Sequence, residues 1–342
     1  MGWSIVRMRT LVAAIVVAAI STFGGSAGLR RVRDQKSTAR WDVQQSGVTD
    51  DLLSVCFVDD QLGFASGREN TIMRTTDGGR SWQRLLERDD HGSQFNQVIF
   101  TGRNEGWVAS RGTLIHTTDS GESWNAAVKL PKSLDFGFGS GWAIGSTWFT
   151  LEVPGTGTGV WRSDDGCRSW RLMGSLPRNH YENICFVDQQ HGWVAGNFSQ
   201  SSIGFTSDGG KTWGFVDQSV NNRNNEVKFA NWTTGWTPGD SGTTMLATTD
   251  GGRTWNPQFT GQPGYKPIEG ISVVSDREVF AATDEVVIHT SDGGKTWRSI
   301  GKFQAPVVAA ISFPDPSHGW VVGSKGFISH YHLVQEPERG RD

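Results

Sequence analysis

One pattern recurs six times in this chain: a short apolar strand, then Thr or Ser, Asp, two small residues, a basic or polar residue, Ser or Thr, and Trp. The aspartates are Asp77, Asp119, Asp165, Asp208, Asp250 and Asp292. Each is followed five residues later by a tryptophan: Trp82, Trp124, Trp170, Trp213, Trp255 and Trp297. Successive aspartates stand 42 to 46 residues apart, which is the length of one four-stranded propeller blade. A chain of 342 residues would by length alone suggest two domains, but a repeat running end to end replaces that expectation with one all-β array. The 44 glycines suit many tight turns, and the 16 tryptophans supply large rings to pack between strands.

A second motif falls between these Asp boxes, where an apolar strand leads through a polar turn into glycine and an aromatic residue. Its copies are Gly63-Phe64, Gly106-Trp107, Gly141-Trp142, Gly192-Trp193, Gly235-Trp236 and Gly319-Trp320, with Val279-Phe280 as a seventh that lacks the glycine. Seven of these against six boxes predict a seven-bladed β-propeller whose last unit is cut short. In the first unit, strands A to D are expected at residues 54–58, 64–66, 71–75 and 82–85. The last unit offers strands A, B and C at 308–313, 320–322 and 327–331, but no tryptophan-led fourth strand follows. Residues 41–45, led by Trp41, precede the first A strand at nearly the spacing of a box tryptophan. They are expected to complete the last blade and close the ring, which removes an open sheet edge.

The first thirty residues differ in kind. Arg7 and Arg9 precede an apolar run over 11–20 and a small-residue stretch over 24–28, the layout of an export signal cleaved after Ala27. Arg30, Arg31 and Arg33 just beyond leave an uncleaved membrane anchor as the alternative, although about 20 apolar residues are needed to span a bilayer and this run is shorter. No cysteine lies near the cleavage region, which argues against a lipoprotein anchor. The expected organisation is a signal or anchor at 1–28, a linker at 29–40, the propeller at 41–334 and a tail at 335–342. The protein is thus expected to be exported, to the periplasm or a lumen, or held at the membrane by its N-terminal segment.

The box chemistry is local. Its Asp can accept hydrogen bonds from its own turn, its glycines can take positive φ, and its Trp can pack on a neighbouring strand. Each carboxylate stands in a separate hairpin without a second acid at constant spacing, so the boxes read as structure. Asp164 beside Asp165, and Cys167 in place of a glycine, mark the third box as degenerate. Gly210-Lys211-Thr212 and Gly294-Lys295-Thr296 mimic the end of a phosphate-binding loop, but Phe205 and His289 occupy the place of its first glycine. Eight scattered histidines and three cysteines show no metal-ligand spacing, and no cofactor is expected. Cys56, Cys167 and Cys185 are an odd number, and Cys56 and Cys185 fall at matching positions several blades apart, so both are read as small buried apolar residues rather than a bridge. A formal net charge of −3 argues against a nucleic-acid partner.

Asp boxes also occur in sialidases, whose activity implies an arginine cluster, a tyrosine nucleophile and an acidic partner. The Arg-Ile-Pro segment of that family is not found here, and Tyr181 and Tyr265 stand in no recognisable site. The chain more closely resembles the photosystem II stability/assembly factor family of exported seven-bladed propellers. Residues 41–45, 53–58, 63–67, 72–82 and 319–323 carry the likeness, which extends over nearly all of the chain after about residue 40. The resemblance implies a non-enzymatic protein-binding scaffold that holds a membrane-protein assembly intermediate. It also implies basic residues on one propeller face. Arg68, Arg111 and Lys325 occupy the turn after strand B in blades one, two and seven, which ring closure makes neighbours; they read either as three solvated turn residues or as a patch for an acidic protein segment. Arg178 and Arg223, with His180, fall in D-to-A loops expected to open on the same face, and are further partner-binding candidates that the repeat does not align. Residues 145–159 read as an enlarged B-to-C loop of blade three containing Trp148, Phe149 and Leu151, either a recognition loop or a chance insertion. The alternative is a glycan-directed hydrolase or carbohydrate-binding propeller, for which Glu69, Glu182, Glu226 and Glu269 are the loop acids to test.

Overall fold

In the computed structural model, which describes residues 37–86, 94–110, 113–125, 141–152, 159–177, 181–196, 202–216, 226–239, 244–260, 266–302 and 307–335, the chain builds seven antiparallel sheets. Six have four strands, and the second in chain order has three, with a bridge from His116 to Asn125 where the fourth would run. Blade one runs Leu52–Phe57, Gly63–Gly67, Ile72–Thr75 and Gln83–Arg84, strands A to D in spatial order. The A strands of neighbouring blades pack together from blade one round to blade seven and back again, so the array is a closed seven-bladed β-propeller. Strand B, inside its sheet and between two blades, is buried at every position in Gly63–Gly67, Gly106–Ser110, Gly192–Gly196 and Gly235–Gly239.

The seventh blade takes Val308–Asp315, His318–Gly323 and Ile328–Gln335 from the end of the chain and its fourth strand, Ser37–Gln44, from the beginning. Ser37–Gln44 pairs antiparallel with Ile328–Gln335 and sets Trp41 opposite Tyr331. Trp41 takes the place of a box tryptophan: its ring stands edge-on to Phe313 of strand A at 6.4 Å, as Trp82 does to Phe57 at 5.8 Å. At the seam with blade one, Gln44 donates its side-chain N–H to the Gly78 carbonyl at 2.9 Å, and Phe57 stacks on Trp320 with centroids 3.4 Å apart.

That stack belongs to a set. A phenylalanine late in strand A lies flat on the strand-B aromatic of the preceding blade: Phe100 on Phe64 at 3.9 Å, Phe186 on Phe149 at 3.6 Å, Phe229 on Trp193 at 3.5 Å and Phe313 on Phe280 at 3.7 Å. Each such pair contributes about 0.5–1.5 kcal/mol beyond its buried area. The same phenylalanines cover the glycine that opens strand B of their own blade. A Cβ at Gly63, Gly106, Gly192, Gly235 or Gly319 would fall within 2.6 Å of the ring, so the Gly-aromatic motif is the imprint of this cover.

Blade three corrects the sequence reading at two points. Gly141-Trp142 does not open strand B but strand A (Gly141–Ile144), and strand B is Thr147–Leu151, buried throughout, in the middle of the supposed recognition loop. The register shows the cause. Trp148 stands opposite Ser163, the residue that opens the box, where Gly63 stands opposite Thr75; Phe149 then holds the place of Phe64. Trp148 faces Ala143, where Gly63 faces Phe57. The large and small partners have exchanged strands. The Trp148 ring covers Gly141, whose Cβ would lie 2.4 Å from it, and meets Trp107 of blade two edge-on at 5.5 Å.

Cys56, Cys167 and Cys185 are free thiols, and burial pushes Cys56 and Cys185 up to about 11. Cys167 keeps the left-handed φ of the glycine it replaces, at 70°, and packs with Trp107 and Trp148. Among the described residues no helix is long and apolar enough to cross a membrane.

Candidate functional site

Antiparallel alternation divides the turns between two rims: A-to-B turns and, in blades one to six, Asp boxes at one end, B-to-C turns and D-to-A connections at the other. At the box rim the chemistry closes on itself. In the first box Thr75 donates its hydroxyl to Asp77 Oδ1 at 2.8 Å, Ser81 donates its backbone N–H to the same oxygen at 2.9 Å, and the Ser81 hydroxyl reaches Oδ2 at 2.6 Å. The other five repeat this arrangement, the degenerate third included. The hydroxyls of Ser123, Ser169 and Thr296 hold Asp119, Asp165 and Asp292 at about 2. Desolvation opposes this at Asp208 and Asp250, yet the Thr212 and Thr254 hydroxyls and backbone N–H groups still bring both to about 2. Carboxylates so engaged are committed to their own turns.

At the opposite rim, Arg68 and Lys325 come together across the closure seam. Arg68 follows strand B of blade one and donates its backbone N–H to the Asp51 carbonyl at 2.9 Å, while its Nε lies 3.2 Å from Asp51 Oδ2. Lys325, in the matching turn of blade seven with φ 58°, donates its backbone N–H to Asp51 Oδ1 at 3.0 Å. Both basic residues are exposed. The turn that carries Arg68 is braced from beneath. Asp50, side chain only 7% exposed, accepts from Arg84 Nη1 at 2.9 Å and from the Thr71 hydroxyl at 3.3 Å, and Arg84 Nη2 reaches the Glu69 carbonyl at 2.5 Å. Arg111, Arg178, His180 and Arg223 lie outside the described residues. The sequence reading missed Asp50, Asp51 and Arg84. Their only signal is a doubled acid in the D-to-A connection, and Asp89-Asp90 in the next connection shows that such a pair does not by itself mark the site.

A central cavity of about 550 Å³ is lined by strand-A residues from all seven blades. Of the four acids singled out, Glu182, Glu226 and Glu269 line it, while Glu69 belongs to the braced turn. Burial pushes the Glu226 carboxyl up, against Lys228, whose Nζ lies 3.5 Å from Oε1, and the Ile271 backbone N–H, which donates to Oε2 at 2.9 Å. Burial also raises Glu269, with Asp284 and Glu226 adding to it. Lys228 in turn lies 4.8 Å over the Trp142 ring. Glu226 and Glu269 thus stand on adjacent blades, and the former is already bound by an ammonium and an amide.

With this geometry in place, comparison with known proteins is informative. The sequence profile of the family described as photosynthesis system II assembly factor YCF48 matches residues 33–175 and 211–306. The photosystem II assembly lipoprotein Ycf48 of Trichormus variabilis is 27% identical over 322 residues, covering 85% of this chain and 86% of that protein. Among solved structures, YCF48 bound to a D1 peptide superposes with a TM-score of 0.67 at 22% identity, over 85% of this chain and 96% of the other. A streptogramin B lyase superposes with a TM-score of 0.70 at 13% identity, over 86% and 98%, and shares the fold alone.

Proposed function

Since this chain belongs to the photosynthesis system II assembly factor YCF48 family, we propose that it is a non-enzymatic scaffold whose non-box rim, at blades seven and one, seats an acidic polypeptide segment of a membrane-protein assembly intermediate. The observation that carries this reading is the meeting of Arg68 and Lys325, from opposite ends of the chain, on one carboxylate at an exposed rim. A relative solved with a D1 peptide bound supports a polypeptide as the ligand class. Binding rather than catalysis is favoured because all six box carboxylates are engaged in their own turns and Glu226 is tied to Lys228. The apolar N-terminal segment would deliver the propeller to the periplasmic or lumenal side, where it would act as an exported or membrane-held protein.

The test is affinity capture from gently solubilised membranes of the source organism, comparing wild type with Arg68→Glu plus Lys325→Glu. Membrane-complex subunits are expected with the wild type and not with the double variant. Equal recovery by both removes the rim from the interface, and recovery of nothing by either withdraws the scaffold reading.

A further inference from the structure

The two neighbouring aspartates at the seam have opposite fates. Asp50 points inward, is neutralised by Arg84 and accepts a hydrogen bond from the Thr71 hydroxyl, while Asp51, side chain 38% exposed, turns outward between the two blades. Each oxygen of Asp51 is met by an N–H donor from a different blade, Arg68 Nε on Oδ2 and the Lys325 backbone amide on Oδ1. A guanidinium converging with the amide of a left-handed residue is the donor set with which proteins hold a carboxylate ligand. We infer that the seam is a built carboxylate site, that Asp51 is its resident occupant, and that an acidic partner segment binds in competition with it, so that Asp51 sets the affinity of the rim.

This inference rests on the rim reading above and goes further by naming a residue that opposes binding. Arg68 and Asp51 are both substantially exposed, so their pairing is worth little and an incoming carboxylate can replace it at small cost. The arrangement also keeps the two cations in register while no partner is bound, since the backbone of Arg68 and that of Lys325 are both fastened to Asp51.

Asp51→Asn separates the two roles. The amide oxygen still accepts from the Lys325 N–H, while the charge that competes for Arg68 is gone. The probe is a short labelled polyglutamate peptide, made once with a free C-terminal carboxylate and once amidated, and read by fluorescence anisotropy. Asp51→Asn is expected to bind about three- to tenfold more tightly than wild type at low salt, the gain shrinking as ionic strength rises, with an unchanged melting temperature. Loss of that gain on amidation assigns the site to a chain terminus, and its persistence assigns it to side-chain carboxylates. Wild-type binding that Arg68→Glu abolishes and Asp51→Asn leaves unimproved keeps the rim and overturns the role of Asp51. Failure of both wild type and Asp51→Asn to bind overturns the role and the rim together.

Discussion

A box aspartate engages both of its oxygens within five residues of sequence, and this has a consequence in acid. Its folded carboxyl sits at about 2 in Asp250, below the ordinary 3.8, so the carboxylate contributes stability that is fully present above about pH 4 and is lost as pH falls through 2. With six such turns, denaturant titrations at successive pH values should show a steep fall in stability between about pH 4 and pH 2. Asp250→Asn is expected to lower stability at neutral pH by about 1 kcal/mol and to make that fall shallower. The box was legible in the sequence because it is local: hydroxyl, carboxylate and glycine all lie in one turn, repeated. Arg68 and Lys325 were legible for the same reason, as equivalent positions of a repeat. Asp51 was not, because what matters about it is a neighbour 274 residues away.

At the scale of the strand, blade three shows what a repeat constrains. In every blade but the sixth, where Val273 faces Val279, the inter-blade space holds one large ring beside a glycine, but which strand supplies which is free. Blades one, two, four, five and seven place the ring on strand A, and blade three places it on strand B as Trp148. A reading by local motif finds Gly141-Trp142 and assigns it to the wrong strand, since cross-strand complementarity is not written in either strand alone. Trp148→Gly should leave the space empty and cost about 3–5 kcal/mol by chemical denaturation. Adding Ala143→Phe restores the arrangement of Phe57 and Gly63, and the double variant should recover most of the loss, a strong coupling of neighbours. Additive losses would mean that the two positions do not share one space.

At the scale of the whole molecule, closure depends on a strand carrying an unusual concentration of imidazole nearby. His330 stacks on Trp320 at 4.3 Å, stands opposite Asp42 of the closing strand Ser37–Gln44, and has the rings of His332 and His318 at 5.2 and 6.1 Å. Burial, then these two histidines, bring it down to about 4 from 6.5. A histidine that resists protonation when folded contributes stability that is intact above about pH 6.5 and is lost as pH falls toward 4. Melting temperature should therefore decline over that window, before the carboxylates respond, and His330→Gln should flatten the decline. The seam also has a consequence in time. The first blade strand synthesised, Ser37–Gln44, is partnered by Ile328–Gln335, so the longest-range contacts of the fold form only once that later strand has been made. Arg68 and Lys325 come from the two sides of that seam, so a prematurely terminated chain has half of the rim and nothing to join it to. A ligand that needed both residues would therefore read ring closure as well as charge: it could engage only a propeller whose two edge strands, Ser37–Gln44 and Ile328–Gln335, have met.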